Sequence, residues 1–166
     1  MFVILCKQPH FSFNIIRLLC DILCLFPGME NLCSSGWTKF GNFCYFINNQ
    51  SKTWQDAREY CHKQNAYLVD IHTADENAFV SKLSSTKAFW IGYYASQGDF
   101  VWDRTGVRGS YLHWRNNKPD RERHPCVIMN LKYEFTFGQW SDRKCNTALA
   151  SACKKGNQSG RKDLEN

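Results

Sequence analysis

The sequence predicts an α+β domain with two helices and several short strands, stapled by disulfides. Capping signals and helical periodicity occur only in the first part of the domain, and short aromatic runs separated by polar turns fill the part beyond residue 86. The chain has 166 residues, which suits one domain better than two. Its nine Cys residues are far above ordinary usage and indicate an oxidising compartment.

A hairpin and a helix are expected first. Polar and apolar residues alternate over 37–47 around a Gly41-Asn42 turn, which predicts two paired strands. A capping box variant, with Thr53 followed by Asp56, then predicts a helix over 53–64. The apolar positions of this helix share one face at helical spacing: Trp54, Ala57, Tyr60 and Cys61.

A short strand and a second helix should follow. Residues 67–71 predict the strand, and a second capping signal, with Thr73 followed by Glu76, predicts a helix over 73–83. Later strands are expected at the aromatic and apolar runs 88–92, 100–102, 125–129 and 138–140.

The residues before the domain form an apolar run that charged residues interrupt. Residues 11–26 are similar to a targeting segment, yet Arg17 and Asp21 leave no charge-free stretch long enough to span a bilayer. No small-residue cleavage site follows the apolar run. Residues 1–32 are therefore either an atypical leader or a segment that is not part of the mature protein. In the second case translation is read from Met29.

Two polar segments lie outside the predicted elements. The connection over 103–124 is long for a loop without structure of its own, and such loops tend to be functional or disordered. It carries Tyr111 and Trp114, which favours an ordered binding loop. The last residues, 155–166, contain little apolar surface and are expected to form a flexible basic tail.

The cysteines divide into two groups. Three precede the domain, at Cys6, Cys20 and Cys24. The other six lack the closely spaced Cys and His pairs of a structural zinc site, so we expect disulfides, although spacing alone does not choose the pairing. These six are Cys33, Cys44, Cys61, Cys126, Cys145 and Cys153.

Several motifs within 33–154 together resemble the C-type lectin-like domain in order and spacing. The most specific is Trp90-Ile-Gly-Tyr93, which departs from the family's Trp-Ile-Gly-Leu signature only in its last position. Short blocks around Thr53 and Trp114 are most similar to single domains of the mannose-receptor group. The remaining motifs are Cys33…Cys44-Tyr, Trp54…Ala57…Tyr60-Cys61, Ala66-Tyr-Leu-Val-Asp-Ile, Asn117-Lys-Pro-Asp120, Cys126, Gly138-Gln-Trp-Ser-Asp142, Cys145 and Cys153.

The resemblance implies the long form of the domain, a double-loop fold in which two helices flank antiparallel sheets. It implies a cis peptide bond before Pro119 and structural roles for Trp90, Gly92 and Trp140. It also implies three bridges: Cys33–Cys44, Cys61–Cys153 and Cys126–Cys145.

Sugar-binding members of the family hold calcium through a Glu-Pro-Asn or Gln-Pro-Asp triplet, a Glu shortly before the next Cys, and the Asn-Asp of Trp-Asn-Asp. The matching positions here are Lys118-Pro119-Asp120, His124 and Ser141-Asp142. Calcium takes six to eight oxygen ligands, and of these positions only Asp120 and Asp142 keep suitable chemistry. We therefore expect no calcium cofactor. The alternative is that Glu122 reaches inward and supplies a carboxylate ligand, so that calcium binds.

Charge concentrates in the same long loop, where residues 104–124 carry six basic and two acidic residues. The forked N–H donors of an Arg guanidinium match the geometry of sulfate and carboxylate groups. We therefore expect an anionic partner, which is either a glycan, for example a sulfated glycan, or a protein ligand. A solvated loop whose charges serve solubility is the competing interpretation, and nucleic acid is disfavoured. The expected ligand-binding residues are Arg115, Asn117, Lys118, Asp120, Arg121, Glu122, Arg123, Ser141 and Asp142.

These observations predict an extracellular recognition module, either secreted or the ectodomain of a receptor, with its membrane association left open. A calcium-dependent carbohydrate-binding lectin is the alternative. We expect no enzyme, because no motif joins Ser141, Asp142, His113 and His124 into a triad and bridged cysteines are not nucleophiles.

Two glycosylation sequons complete the sequence pattern. Asn49-Gln-Ser51 lies before the first helix and Asn157-Gln-Ser159 lies in the tail. The expected glycosylation sites are therefore Asn49 and Asn157.

Overall fold

The computed structural model describes residues 33–84, 88–120, 124–130 and 137–156. The segment expected to be a leader, 1–32, lies outside these residues, as do Asn157 and the rest of the chain that follows it. Within the described ranges, no helix combines the length and apolarity that crossing a bilayer requires.

The predicted hairpin is present and opens the domain. Strand β1 (Thr38–Phe40) pairs antiparallel with β2 (Phe43–Lys52) across the expected turn. Gly41 in that turn has a φ of 56°, which a residue with a Cβ adopts at a cost. Strand β2 is longer than the sequence pattern indicates, because it continues past β1 to pair with the last strand of the domain.

Both predicted helices begin at their predicted caps. Helix α1 (Trp54–Lys63) follows Thr53, whose side chain accepts a hydrogen bond from the Asp56 amide at 3.2 Å. After β3 (Tyr67–Leu68), helix α2 (Ala74–Ser81) follows Thr73, whose Oγ1 accepts from the Glu76 amide at 3.1 Å. The strand predicted over 67–71 is therefore only two residues long.

The remaining strands complete one sheet. They are β4 (Ala88–Ser96), β5 (Asp99–Trp102), β6 (Cys126–Asn130), β7 (Trp140–Arg143) and β8 (Leu149–Gly156). The described strands run in the order β1-β2-β8-β4-β6-β7, with β3 also paired to β8 and β5 to β4.

Strand direction and the end of the domain differ from the expectation. Pairing is antiparallel as expected, except that β4 and β8 run parallel, so the sheet is mixed. Strand β8 also continues into the segment predicted as tail, because Lys155 and Gly156 pair with Cys44 and Phe43.

Tryptophans form much of the core. Trp54, Trp90, Trp102 and Trp140 are all buried. The Trp54 indole donates to the Ile91 carbonyl and the Trp90 indole to the Lys52 carbonyl, both at 2.9 Å. The Trp54 and Trp90 rings therefore each supply apolar area and a satisfied buried polar group.

Gly92 allows two strands to approach closely. A Cβ at this position would lie 2.6 Å from the Leu68 carbonyl oxygen, which is backbone and has no room to move aside. Gly92 also donates its amide to the Val69 carbonyl at 2.9 Å. Only glycine fits, in agreement with the structural role that the resemblance implies.

All three bridges implied by the resemblance are formed. Cys33–Cys44 anchors the residues before β1, Cys61–Cys153 joins α1 to β8, and Cys126–Cys145 joins β6 to the segment after β7. The second bridge encloses a sequence separation of 92 residues, which makes it the strongest constraint on the unfolded chain.

Candidate ligand-binding site

The described part of the long loop is held along strand β7. The Trp140 amide donates to the His113 carbonyl at 2.7 Å, and the Arg115 amide donates to the Trp140 carbonyl at 2.8 Å. The Trp114 ring packs edge-on against Phe100, with ring centroids 5.1 Å apart. These backbone and ring contacts give the segment before Lys118 a fixed course, as the prediction of an ordered loop requires.

The motif Lys118-Pro119-Asp120 closes on Asp142. The Lys118–Pro119 peptide bond is cis, as the resemblance implies. The Lys118 ammonium lies 2.9 Å from Asp142 Oδ1, and the Asp120 amide donates to Asp142 Oδ2 at 2.6 Å. Both oxygens of the fully buried Asp142 carboxylate therefore face groups supplied by the motif itself.

The neighbouring predicted site residues are divided between surface and interior. Asn117 and Asp120 are exposed, and Asn117 has a φ of 61°. Ser141 is 1% exposed, and its hydroxyl accepts a hydrogen bond from Asn130 Nδ2 at 2.7 Å. Ser141 and Asp142 are thus both buried, and their expected contact with a ligand stays a prediction.

His124 stands beside the same motif. Its Nδ1 lies 3.8 Å from Asp120 Oδ2, beyond hydrogen-bonding distance, and has no hydrogen-bond partner within the described part of the chain. The imidazole and the half-exposed Asp120 carboxylate therefore form a loose polar pair. Arg121, Glu122 and Arg123, which complete the predicted set, lie outside the described residues.

Much of the loop's positive charge is neutralised by carboxylates from elsewhere in the chain. Arg104 pairs with Asp70 at 3.2 Å and Arg108 with Asp99 at 3.4 Å, as Lys118 does with Asp142.

Arg115 differs from these loop cations. It is exposed and has no ion pair with any described carboxylate. Sequence counting therefore overstates how much unpaired positive charge the described loop presents, and among its described cations Arg115 is the one without a described carboxylate partner.

A buried charge cluster that the sequence analysis missed lies between β8 and α2. The Lys154 side chain is 1% exposed, and its ammonium contacts Asp70 Oδ1 at 2.7 Å and Glu76 Oε1 at 2.6 Å. The Tyr45 hydroxyl donates to the same Glu76 oxygen at 2.7 Å. The His72 amide donates to the other Glu76 oxygen at 2.9 Å.

A sequence signal for Lys154 exists. Lys154 alternates with Ala152 and Ala150 on one side of β8, so strand periodicity places its side chain with theirs in the core.

This cluster shifts the pKa values of its members. Burial by itself raises the pKa of the Asp70 carboxyl, but the attraction and hydrogen bond of Lys154, aided by His72, outweigh it and lower that pKa below its ordinary value. Burial, with Glu76 as hydrogen-bond partner, raises the pKa of the Tyr45 hydroxyl. Asp70 is therefore held charged and Tyr45 neutral.

The described ranges contain no group of three or more His, Cys, Asp or Glu side chains arranged to hold a metal ion. Within the candidate site, the carboxylates of the described residues are those of Asp120 and Asp142, with the Lys118 ammonium 2.9 Å from Asp142 Oδ1.

Comparison with known proteins assigns the domain. Residues 50–155 match the family model described as "Lectin C-type domain". The chain is 28% identical to mouse (Mus musculus) asialoglycoprotein receptor 2 over 88% of its own length and 50% of that protein. It is 32% identical to the lectin BRA-3 of Megabalanus rosa over 71% of its own length and 74% of that protein.

Solved structures agree with this assignment. A calcium-independent type II antifreeze protein superposes with a TM-score of 0.70 at 26% identity, covering 76% of this chain and 96% of that one. The chain spans about half the length of the asialoglycoprotein receptors that it matches.

Proposed function

Since the chain belongs to the C-type lectin domain family, we propose that it is an extracellular recognition module that binds an anionic glycan or protein ligand through its long loop, without calcium. The three disulfides support an oxidising, extracellular setting. Binding rather than catalysis is proposed, because the bridged cysteines carry no free thiol and the Ser141 hydroxyl is bonded to Asn130.

The Lys118–Asp142 ion pair is the observation that carries the proposal. In sugar-binding relatives the triplet supplies oxygens to calcium, whereas here its first residue supplies an ammonium 2.9 Å from the buried carboxylate. An ammonium has donors and no acceptor, so it cannot ligate a cation and repels one nearby. With Asp142 Oδ2 also engaged by the Asp120 amide, this set of donors does not suit a divalent ion.

The anionic ligand is supported by what remains exposed. Arg115 is held in place by its own backbone bond to β7, while its side chain reaches solvent without a described carboxylate partner. A guanidinium presented in this way can form a bidentate contact with a sulfate or carboxylate. The immobilised backbone lowers the entropy cost of that contact.

Calcium titration calorimetry tests the first part of the proposal. We expect no heat of binding for the wild-type chain at the roughly millimolar concentrations that fill extracellular calcium modules. The matched variant is Asp120→Asn, which removes a half-exposed carboxylate that accepts no described hydrogen bond. Stoichiometric calcium binding by the wild type that disappears in Asp120→Asn would contradict calcium independence.

Salt-dependent binding to immobilised heparin, with and without chelator, tests the second part. Wild-type binding should weaken as salt is added, and its affinity should not change when the chelator is added. Arg115→Ala should weaken it about tenfold, the equivalent of one charge-assisted contact. Lys63→Ala is the control, because Lys63 is an exposed cation of α1 outside the loop.

Comparing the two variants also shows which result would contradict the proposal. Equal losses in Arg115→Ala and Lys63→Ala would show attraction to overall charge rather than recognition by the loop. Chelator-sensitive binding of neutral sugars would favour the calcium-dependent lectin instead.

A further inference from the structure

Strand β2 contains an irregularity at residues 49–51. Regular pairing with β8 holds from Phe43 to Asn48, and the register then shifts before Lys52 pairs with Leu149. Asn49, Gln50 and Ser51 lie in this bulge, and all three are exposed. In a continuous strand these three side chains would alternate between core and solvent, whereas the bulge turns all three outward.

The residues on either side of the bulge are fixed. Asn48 is 4% exposed, and its Oδ1 accepts a hydrogen bond from the Gln50 amide at 3.2 Å. On the other side, the Lys52 carbonyl accepts from the buried Trp90 indole at 2.9 Å. A group added to the bulge therefore leaves the flanking strand pairing in place.

The surroundings of Asn49 leave room for a large substituent. Strand β1 pairs with β2 only as far as Tyr45, so beyond it β8 is the partner of β2 among the described strands. Within the described part of the chain, the side chains of Asn49 and Ser51 make no hydrogen bond that a modification would break. An attached group would extend into solvent on the side of the strand that β1 does not reach.

We propose that Asn49 is a site of N-linked glycosylation. The triplet Asn49-Gln50-Ser51 has the acceptor pattern, and the disulfides support the oxidising compartment in which that modification occurs. The co-reactant is an oligosaccharide attached to a lipid diphosphate. A bond forms between Asn49 Nδ2 and C1 of the first sugar, while the C1–O bond to the diphosphate breaks. The lipid diphosphate leaves with the electron pair, and the nitrogen gives up one proton.

Expression of the full chain behind a cleavable secretory leader in mammalian cells tests the site. Wild-type chain that has entered the secretory pathway, secreted or retained, should shift in mobility when a peptide-N-glycosidase hydrolyses the Asn side-chain amide bond and releases the sugar. Mass spectrometry of the released peptides should show Asn49 converted to Asp. The shift due to Asn49 should be lost in Asn49→Gln and Ser51→Ala and kept in Ser51→Thr.

Asn146→Gln is the matched control, because Asn146 is exposed but does not begin a sequon. It should keep the Asn49 sugar. Peptide mapping separates Asn49 from the second sequon at Asn157, so sugar at Asn157 alone would overturn the proposal.

The proposal would also be overturned if the translocated chain carried all three bridges and an unmodified Asn49. The wild-type peptide map decides this even if a variant is degraded. Loss of the sugar in Asn146→Gln would equally count against the site.

Discussion

Replacing Lys154 by Met tests how strongly the buried charge cluster stabilises the domain. Met keeps much of the side chain's length and apolar stem but removes the ammonium that contacts Asp70 at 2.7 Å and Glu76 at 2.6 Å. Two buried carboxylates would then lose their shared cation. Breaking a buried ion pair by removing one partner costs about 3–5 kcal/mol, which we expect as the loss in unfolding free energy at neutral pH.

The pH dependence of that loss follows from Asp70. Its folded-state pKa lies below the ordinary value, so its contribution to stability is present above about pH 3.9 and is lost as pH falls through the folded pKa. Without Lys154, the effect of burial dominates and raises the pKa of this carboxyl instead. Acidification then protonates Asp70 in the folded variant and relieves its penalty, so the deficit should shrink as pH falls.

Urea unfolding followed by Trp fluorescence, with disulfides intact, measures the loss at neutral pH and near pH 4. Lys63→Met is the control and should change stability by less than about 0.5 kcal/mol, because Lys63 is exposed. Adding Glu76→Gln to Lys154→Met should recover part of the loss by removing one buried charge. A deficit under about 1 kcal/mol, or one that does not vary with pH, would refute the argument.

Three further changes test the packing that positions the loop. Gly92→Ala should cost about 1–3 kcal/mol in chemical unfolding, because its Cβ would lie 2.6 Å from a backbone oxygen of β3. Trp90→Phe should cost about 1–3 kcal/mol in the same assay, because the part-buried Lys52 carbonyl loses its indole donor at 2.9 Å. Replacing both Cys61 and Cys153 by Ala should cost about 4–5 kcal/mol and lower the melting temperature, because their separation of 92 residues makes the enclosed loop long.

Two of these changes, Gly92→Ala and the removal of the Cys61–Cys153 bridge, have a matched comparison. Gly156→Ala should be nearly neutral, since a Cβ there meets no atom within 4 Å. The shorter Cys33–Cys44 bridge, with a separation of 11 residues, should contribute less than Cys61–Cys153. A neutral Gly92→Ala, or equal costs for the two bridge removals, would contradict the packing and chain-entropy arguments respectively.

Local signals in the sequence were sufficient for the helices and the hairpin. Thr53 and Thr73 cap the two helices as predicted, because a cap depends on residues three positions apart. The turn at Gly41 likewise needs only its immediate neighbours. The disulfide pairing came from family resemblance, since spacing alone left several pairings open and contacts across 92 residues have no local signature.

The lengths and directions of the strands were predicted less well. Strand β2 extends to Lys52 because β8 supplies partners that lie about a hundred residues later. The parallel pairing of β4 with β8 also depends on where the chain returns, which no pattern within either strand encodes. Pairing partners, rather than propensity, decide these features.

The candidate site shows why counting residue types does not give the charge that a loop presents. Lys118 counts toward the basic composition of the loop, yet it lies against Asp142, which is 24 positions later in the sequence. Arg104 and Arg108 similarly find Asp70 and Asp99, which precede the loop. Net charge over a segment therefore measures its composition and not the potential that it presents.

Lys118 and Lys154 each pair with a buried carboxylate. Each brings an ammonium to a carboxylate that is almost fully buried, and burying such a carboxylate alone would be costly. At Asp142 the internal cation ties the Lys118-Pro119-Asp120 motif to β7. In the proposed binding mode, a ligand that approaches this side of the domain would meet a preformed backbone and the Arg115 guanidinium, which has no described carboxylate partner, so its affinity should depend on salt far more than on chelator.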